Sequence, residues 1–145
     1  MSKFFGGVMV LLALVLAVAP VFTDCQSQGK LLTTADGRSV SMKCHWAGIA
    51  EVAAAVPLGL AGIFALRNRR KETTRFASIV GVASGITAIL LPTVLIGTCA
   101  NAGMICNVLM RPILLASGIL AIAASIALFF TAREPELPAA PAAAA

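Results

Sequence analysis

Four long apolar runs, separated by short polar segments, divide this chain: Phe4 to Phe22, Gly48 to Leu66, Phe76 to Gly97, and Pro112 to Thr131. The first holds 19 residues without a charge. As a helix it is about 28 Å long, close to the ~30 Å hydrocarbon core of a bilayer. The pattern predicts an all-α integral membrane protein with transmembrane helices over 4–22, 48–66, 76–97 and 112–131. Outer loops over 23–47 and 98–111 complete a single domain spanning 1–132. The Pro- and Ala-rich stretch 133–145 has no apolar periodicity and reads as a disordered cytoplasmic tail.

The first run also has the outline of a signal peptide, with Lys3, an apolar core and Ala17-Val18-Ala19. Pro20 would follow that cleavage point directly, a poor position for proline, so the run is expected to stay in the chain as a helix. After it, Asp36-Gly37 is a two-residue hairpin signal, because both central positions of a type I′ turn need positive φ. In that register Ala35 faces Arg38, Thr33 faces Val40 and Leu31 faces Met42, which lays one apolar face on the bilayer or the helix ends. Two strands alone are marginal in water, so other contacts must hold them.

Composition agrees with lipid as the solvent. Apolar residues make up 59% of the chain, against about 45–50% in soluble domains. The mean hydropathy is +0.96. Charged residues are only 12% and gather beside the runs. The net charge of +5 is therefore juxtamembrane charge, and no aromatic or glycine-rich basic surface accompanies it, which excludes a nucleic-acid partner.

The same charges orient the chain. With both termini cytoplasmic, the inner side carries Lys3, Arg67, Arg69, Arg70, Lys71, Arg75 and Arg133, and the outer side Lys30, Arg38, Lys43 and Arg111. Short inner loops rich in Lys and Arg set orientation, so the cysteine loops fall outside the cytoplasmic membrane. Disulfides persist on that side. Within the runs, Pro57 and Pro92 are expected to kink their helices. Gly81 with Gly85, Ser117 with Ala121, and less convincingly Gly59 with Ile63, are small-residue spacings that let helices approach closely within the bundle.

All four cysteines, the only histidine and the only tryptophan lie just outside the apolar runs. Cys25, Cys44, Cys99 and Cys106 allow three disulfide connectivities. Pairs within each loop, Cys25 with Cys44 and Cys99 with Cys106, are slightly favoured over pairs between the loops. Either arrangement would brace a small outer cap that has no core of its own. Two chemical alternatives stand beside that reading. Cys44, flanked by Lys43 and His45 near a helix start, has the surroundings of a reactive thiol, although no C-x-x-C motif is present. Met42, Cys44, His45, Met104 and Cys106 also offer thioether, thiolate and imidazole ligands suited to copper(I).

Glu51 lies seven residues after Cys44, two turns down the same helix face if the second helix starts near Cys44. A carboxylate that far into lipid must reach water, a cation or a partner. Snorkelling to the interface or pairing with Arg111 or His45 is the structural reading; contact with a partner subunit or a proton relay is the functional one. Trp46 fits an interfacial anchor.

The pattern Met42-x-Cys44-His45-Trp46-x4-Glu51, with Cys99-x6-Cys106 and Pro112 opening the last helix, resembles an uncharacterised prokaryotic family of small four-helix membrane proteins. The resemblance covers nearly the whole chain apart from the tail. It implies this fold and topology, and a setting beside ATP-binding-cassette transporters with an efflux or lipoprotein-release-like permease. It assigns no catalytic residue. The expected function is a non-enzymatic accessory subunit of a larger membrane complex, without a cofactor. Its outer recognition surface would be built from His45, Trp46, Glu51 and Arg111. The alternatives are a membrane thiol–disulfide oxidoreductase and a soft-metal protein.

Overall fold

A computed structural model describes residues 2–68 and 70–132. The expected tail over 133–145 lies outside the described residues, as do Arg69 and Arg133 of the charge count. Four helices dominate: α1 (Ser2–Thr23), α2 (Lys43–Arg67), α3 (Lys71–Leu90) and α4 (Arg111–Thr131). Each packs on two others, α1 and α3 both against α2 and α4, so the bundle is a closed ring of four. Four spans, Lys3–Thr23, Lys43–Arg67, Lys71–Leu95 and Cys106–Thr131, are long and apolar enough to cross a membrane.

The helices run past the apolar runs at several ends. α2 starts at Lys43 instead of Gly48, so Cys44, His45 and Trp46 sit on its first turn and not in the preceding loop. α3 starts at Lys71 instead of Phe76, with Glu72 in its first turn, where the helix dipole favours an acid. Apolarity marks the depth of a span, whereas backbone hydrogen bonds mark the helix, and polar end turns satisfy the second without the first.

Prolines reshape two ends by widening the turn. Pro92 has no N–H to donate, and Leu91–Leu95 forms a π-helical turn in which the Ile96 N–H reaches Leu91 C=O at 3.1 Å. The fourth span begins the same way, with a π-helical turn over Cys106–Met110 ahead of Pro112. That span therefore starts six residues before the proline that the sequence marks as its opening. α2 continues through Pro57 as a single helix.

Many small residues lie at the helix contacts beside buried Met9, Leu16, Leu58 and Leu114, and many large apolar ones face outward. Ala54, Ala61, Ala65, Ala77, Ala121 and Ala124 are buried, while Leu11, Phe22, Phe64, Phe76 and Phe130 are exposed. That distribution suits helices long and apolar enough to cross a membrane, where small residues let backbones approach closely. A methyl on Gly81 would meet Ser125 and Met9, and one on Gly85 would lie 2.8 Å from Ile122 and 3.0 Å from the Gly118 carbonyl oxygen. These glycines thus seat α3 on α4, as the four-residue spacing predicts. Arg75 lies over the Phe129 ring at 5.3 Å and adds a cation–π contact between the same two helices.

The hairpin forms in a different register from the expected one. β1 (Leu32–Thr33) pairs with β2 (Ser39–Val40) so that Leu32 faces Val40 and Thr33 faces Ser39. The loop is three residues, Ala35 to Gly37: Thr34 N–H donates to Arg38 C=O and Gly37 N–H to Thr34 C=O, both at 2.9 Å. Only Gly37, at φ 75°, enters the left-handed region, so a type I turn ending on one such residue replaces the type I′ turn. A one-residue slip reverses which side chains share a face. Leu31, Leu32 and Val40 are all exposed, so the hairpin lays no apolar face on the helix ends. Gly37→Ala is expected to loosen this turn by about 1 kcal/mol, read as faster amide exchange at Thr34 with the helices unaffected.

Candidate metal centre

The end of the bundle where α1 stops and α2 begins brings four sulfurs together from four places in the chain. Cys25 lies just past α1, where Asp24 N–H still donates to Pro20 C=O (3.0 Å) and Cys25 C=O accepts from Lys30 N–H (2.9 Å). Cys44 occupies the first turn of α2. Cys106 opens the π-helical turn that leads into α4. Cys99 lies in the loop between the third and fourth spans. The Asn107 side chain holds that loop by donating from Nδ2 to Cys99 C=O (2.6 Å) and Asn101 C=O (2.8 Å).

All four Sγ atoms lie within 4.8 Å of one another. Cys44 and Cys99 are separated by 3.4 Å, Cys25 and Cys106 by 3.6 Å, and Cys25 and Cys99 by 3.7 Å. Cys25, Cys44 and Cys106 are fully buried, and Cys99 is partly so. The cysteines are free, and these separations are well beyond a sulfur–sulfur bond of about 2.05 Å. The three pairs at 3.4, 3.6 and 3.7 Å each join the first loop to the second, because α2 starts early enough to carry Cys44 into the gap between the spans.

These separations fit a tetrahedral ion. With metal–sulfur bonds near 2.3 Å, as for zinc, the sulfurs of a tetrathiolate stand about 3.8 Å apart. The electrostatics point the same way. Burial, reinforced by hydrogen bonds with the other three thiols, pushes the Cys25 thiol well above its ordinary range. Four thiolates can share this pocket only with a cation among them, and metal binding would release their protons.

The soft-ligand set read from the sequence is only partly assembled. Cys44 and Cys106 belong to the cluster, and the Met42 Sδ lies 3.8 Å from the Cys99 Sγ. Met104 packs against the core, and the other two sulfurs of the cluster belong to Cys25 and Cys99. His45 is engaged elsewhere: its Nδ1 is 2.7 Å from the Asp24 Oδ2. Asp24, which the sequence did not single out, also accepts from Ser27 N–H at 2.7 Å. The residue preceding Cys25 is thereby tied to the residue following Cys44. Burial opposes the charge on Asp24, but the bonds with His45 and Ser27 outweigh it and hold its carboxyl below the usual carboxylate range. A depressed acid stabilises the fold above its unfolded pKa and ceases to do so as pH falls through the folded value. Asp24→Asn is therefore expected to lower cap stability at neutral pH, the difference from wild type beginning to shrink near the ordinary value of 3.8 and closing only through the lower folded one when melting is followed across pH.

The expected recognition surface divides. Trp46 is 59% exposed and its ring stacks edge-on with His45 at 5.9 Å between centroids. Arg111 is exposed. Glu51 does not belong to that surface: it is fully buried, and neither carboxyl oxygen meets a hydrogen-bond partner among the described residues. The pairings with Arg111 or His45 are not formed, since α2 turns Glu51 into the bundle while Arg111 points away from it.

Comparison with curated proteins and with solved structures gave no match. A family model described as a domain of unknown function, DUF4418, matches residues 7–131, which takes in most of α1, the other three helices, both cysteine-bearing loops and every cysteine. The chain belongs to that family.

Proposed function

We propose that this protein is a multi-pass membrane protein that binds one tetrahedrally coordinated metal ion, of the zinc(II) class, through Cys25, Cys44, Cys99 and Cys106. The observation that carries the reading is the convergence of four mostly buried sulfurs at tetrahedral spacing. Thiolate-only tetrahedral sites select zinc, or iron in its sulfur-ligated centres. The ion would supply positive charge and four directional bonds, clamping the start of α2 and the start of the fourth span to the two outer loops. Its role is then structural, and the protein acts as an accessory subunit presenting a metal-braced outer cap to other membrane subunits, in keeping with exposed Trp46. The charge bias of the connecting segments supports termini in the cytoplasm and the cap outside the cytoplasmic membrane.

Copper(I) is the second reading, favoured by the Met42 thioether beside Cys99. The deciding experiment is elemental analysis of protein purified from native membranes without reductant or chelator, together with single cysteine-to-serine variants and Met42→Leu. Zinc or iron at one ion per chain, lost in each cysteine variant and kept in Met42→Leu, is the expected result. Copper lost in Met42→Leu would favour the second reading. Metal-free protein with two stable disulfides would refute both and return the cap to a disulfide brace.

A further inference from the structure

We propose that Glu51 is a proton-binding site inside the membrane-spanning bundle, its side chain a carboxylic acid and not a carboxylate. The proposal is independent of the thiolate centre and rests on where the carboxyl lies and what surrounds it. Glu51 is fully buried, and both of its oxygens lack a hydrogen-bond partner among the described residues. It shares the buried face of α2 with Cys44, Ala47, Gly48, Ala54 and Ala55, about 10 Å along the helix from Cys44.

No neighbouring element offers a countercharge. α1, packed on one side, carries no charged residue between Phe4 and Thr23. α3, on the other, has Lys71, Glu72 and Arg75 only in its opening turns, at the end of the bundle remote from the cap. The Leu91–Leu95 turn that also touches α2 has none. Arg111, on the fourth span, is exposed. The titratable groups toward the cap are the four thiols, the Asp24–His45 pair and Lys43, and none of them hydrogen-bonds to Glu51.

An isolated carboxylate in such a place would forfeit its hydration with nothing in return, so it neutralises by binding a cation. A metal ion requires several ligands. Among the described residues the four cysteines are the one grouping of three or more such side chains, and Glu51 is not in it. A single carboxyl is sufficient for a proton. A membrane-buried acid of this kind stores one proton per chain beneath the outer cap.

Infrared spectra of the full chain in lipid bilayers at neutral pH, compared between wild type and Glu51→Gln, test this. Wild type is expected to show the carbonyl stretch of a protonated carboxylic acid, shifted in heavy water and absent from Glu51→Gln. Exposed Glu72 serves as the control: Glu72→Gln is expected to remove only carboxylate bands. Should Glu51→Gln fail to fold, Glu51→Asp keeps an acid and should move the band without abolishing it. Carboxylate bands that disappear with Glu51→Gln, with no acid band in wild type, would overturn the proposal. So would metal retained by a chain lacking all four cysteines and released by Glu51→Gln, which would make the carboxyl a metal ligand.

Discussion

Stripping metal from the purified protein with a strong chelator is expected to open the outer cap while the helices stay formed. An ion that binds only the folded cap stabilises it by about 4 kcal/mol when free metal stands a thousandfold above Kd. The cap's hairpin strands are exposed, and its polar ties are short-range or few, among them the Asp24–His45 pair, the Ser27–Asp24 and Asn107 bonds and a Ser41–Gln26 hydrogen bond. Amide exchange over residues 24–42 and 96–105 should therefore rise by orders of magnitude on chelation, with the bundle protected as before. Cys44→Ser should reproduce the effect without chelator, since it removes the fully buried thiol that is the proposed ligand on α2. Equal exchange with and without metal would show that the cap does not depend on an ion.

The same geometry dictates what oxidation does to the stripped form. Disulfides join the sulfurs that are already close, and the two disjoint pairs in contact are Cys25 with Cys106 and Cys44 with Cys99. Both run between the loops. Peptide mapping after air oxidation of metal-free protein is expected to find these two bridges. Dominant Cys25–Cys44 and Cys99–Cys106 bridges would mean that the loops separate before they oxidise, and that the cluster does not persist without its ion.

The second large effect is expected at Gly62, which the small-residue spacings in the sequence did not reveal. A methyl there would lie 2.8 Å from the Gly6 carbonyl oxygen and 2.8 Å from a Val10 methyl carbon. The first of these is backbone and cannot rotate aside, so α1 must shift away from α2. Gly62→Ala is expected to cost about 2–3 kcal/mol, in the upper part of the range for overpacked cores. Gly7→Ala, one residue along α1 from Gly6, meets nothing within 4 Å and should be neutral or slightly stabilising. Unfolding of both variants in detergent, followed by circular dichroism, makes the comparison. Equal stabilities would remove the close α1–α2 approach as a source of bundle stability.

Local sequence determined a good deal here, because a helix in lipid must satisfy its own backbone and show apolar side chains all round. Four runs of apolar residues were sufficient to give four helices and their order, and Gly81 with Gly85 gave one interface. Asp36-Gly37 marked a turn but left its register open, since turns one residue apart in length place the same glycine at a permitted φ. Helix ends were blurred for a different reason: Lys43 to Ala47 and Lys71 to Arg75 are polar enough to look like loop, yet hydrogen-bond as helix. What only the tertiary structure decided is the meeting of Cys25, Cys44, Cys99 and Cys106, and the burial of Glu51. Spacing along the chain separates the cysteines into two loops. Their convergence depends on which helices pack side by side and on how far α2 and the fourth span extend outward. Glu51 could be placed on the Cys44 face from helical periodicity, but whether that face meets lipid, water or other helices is a property of the assembled bundle.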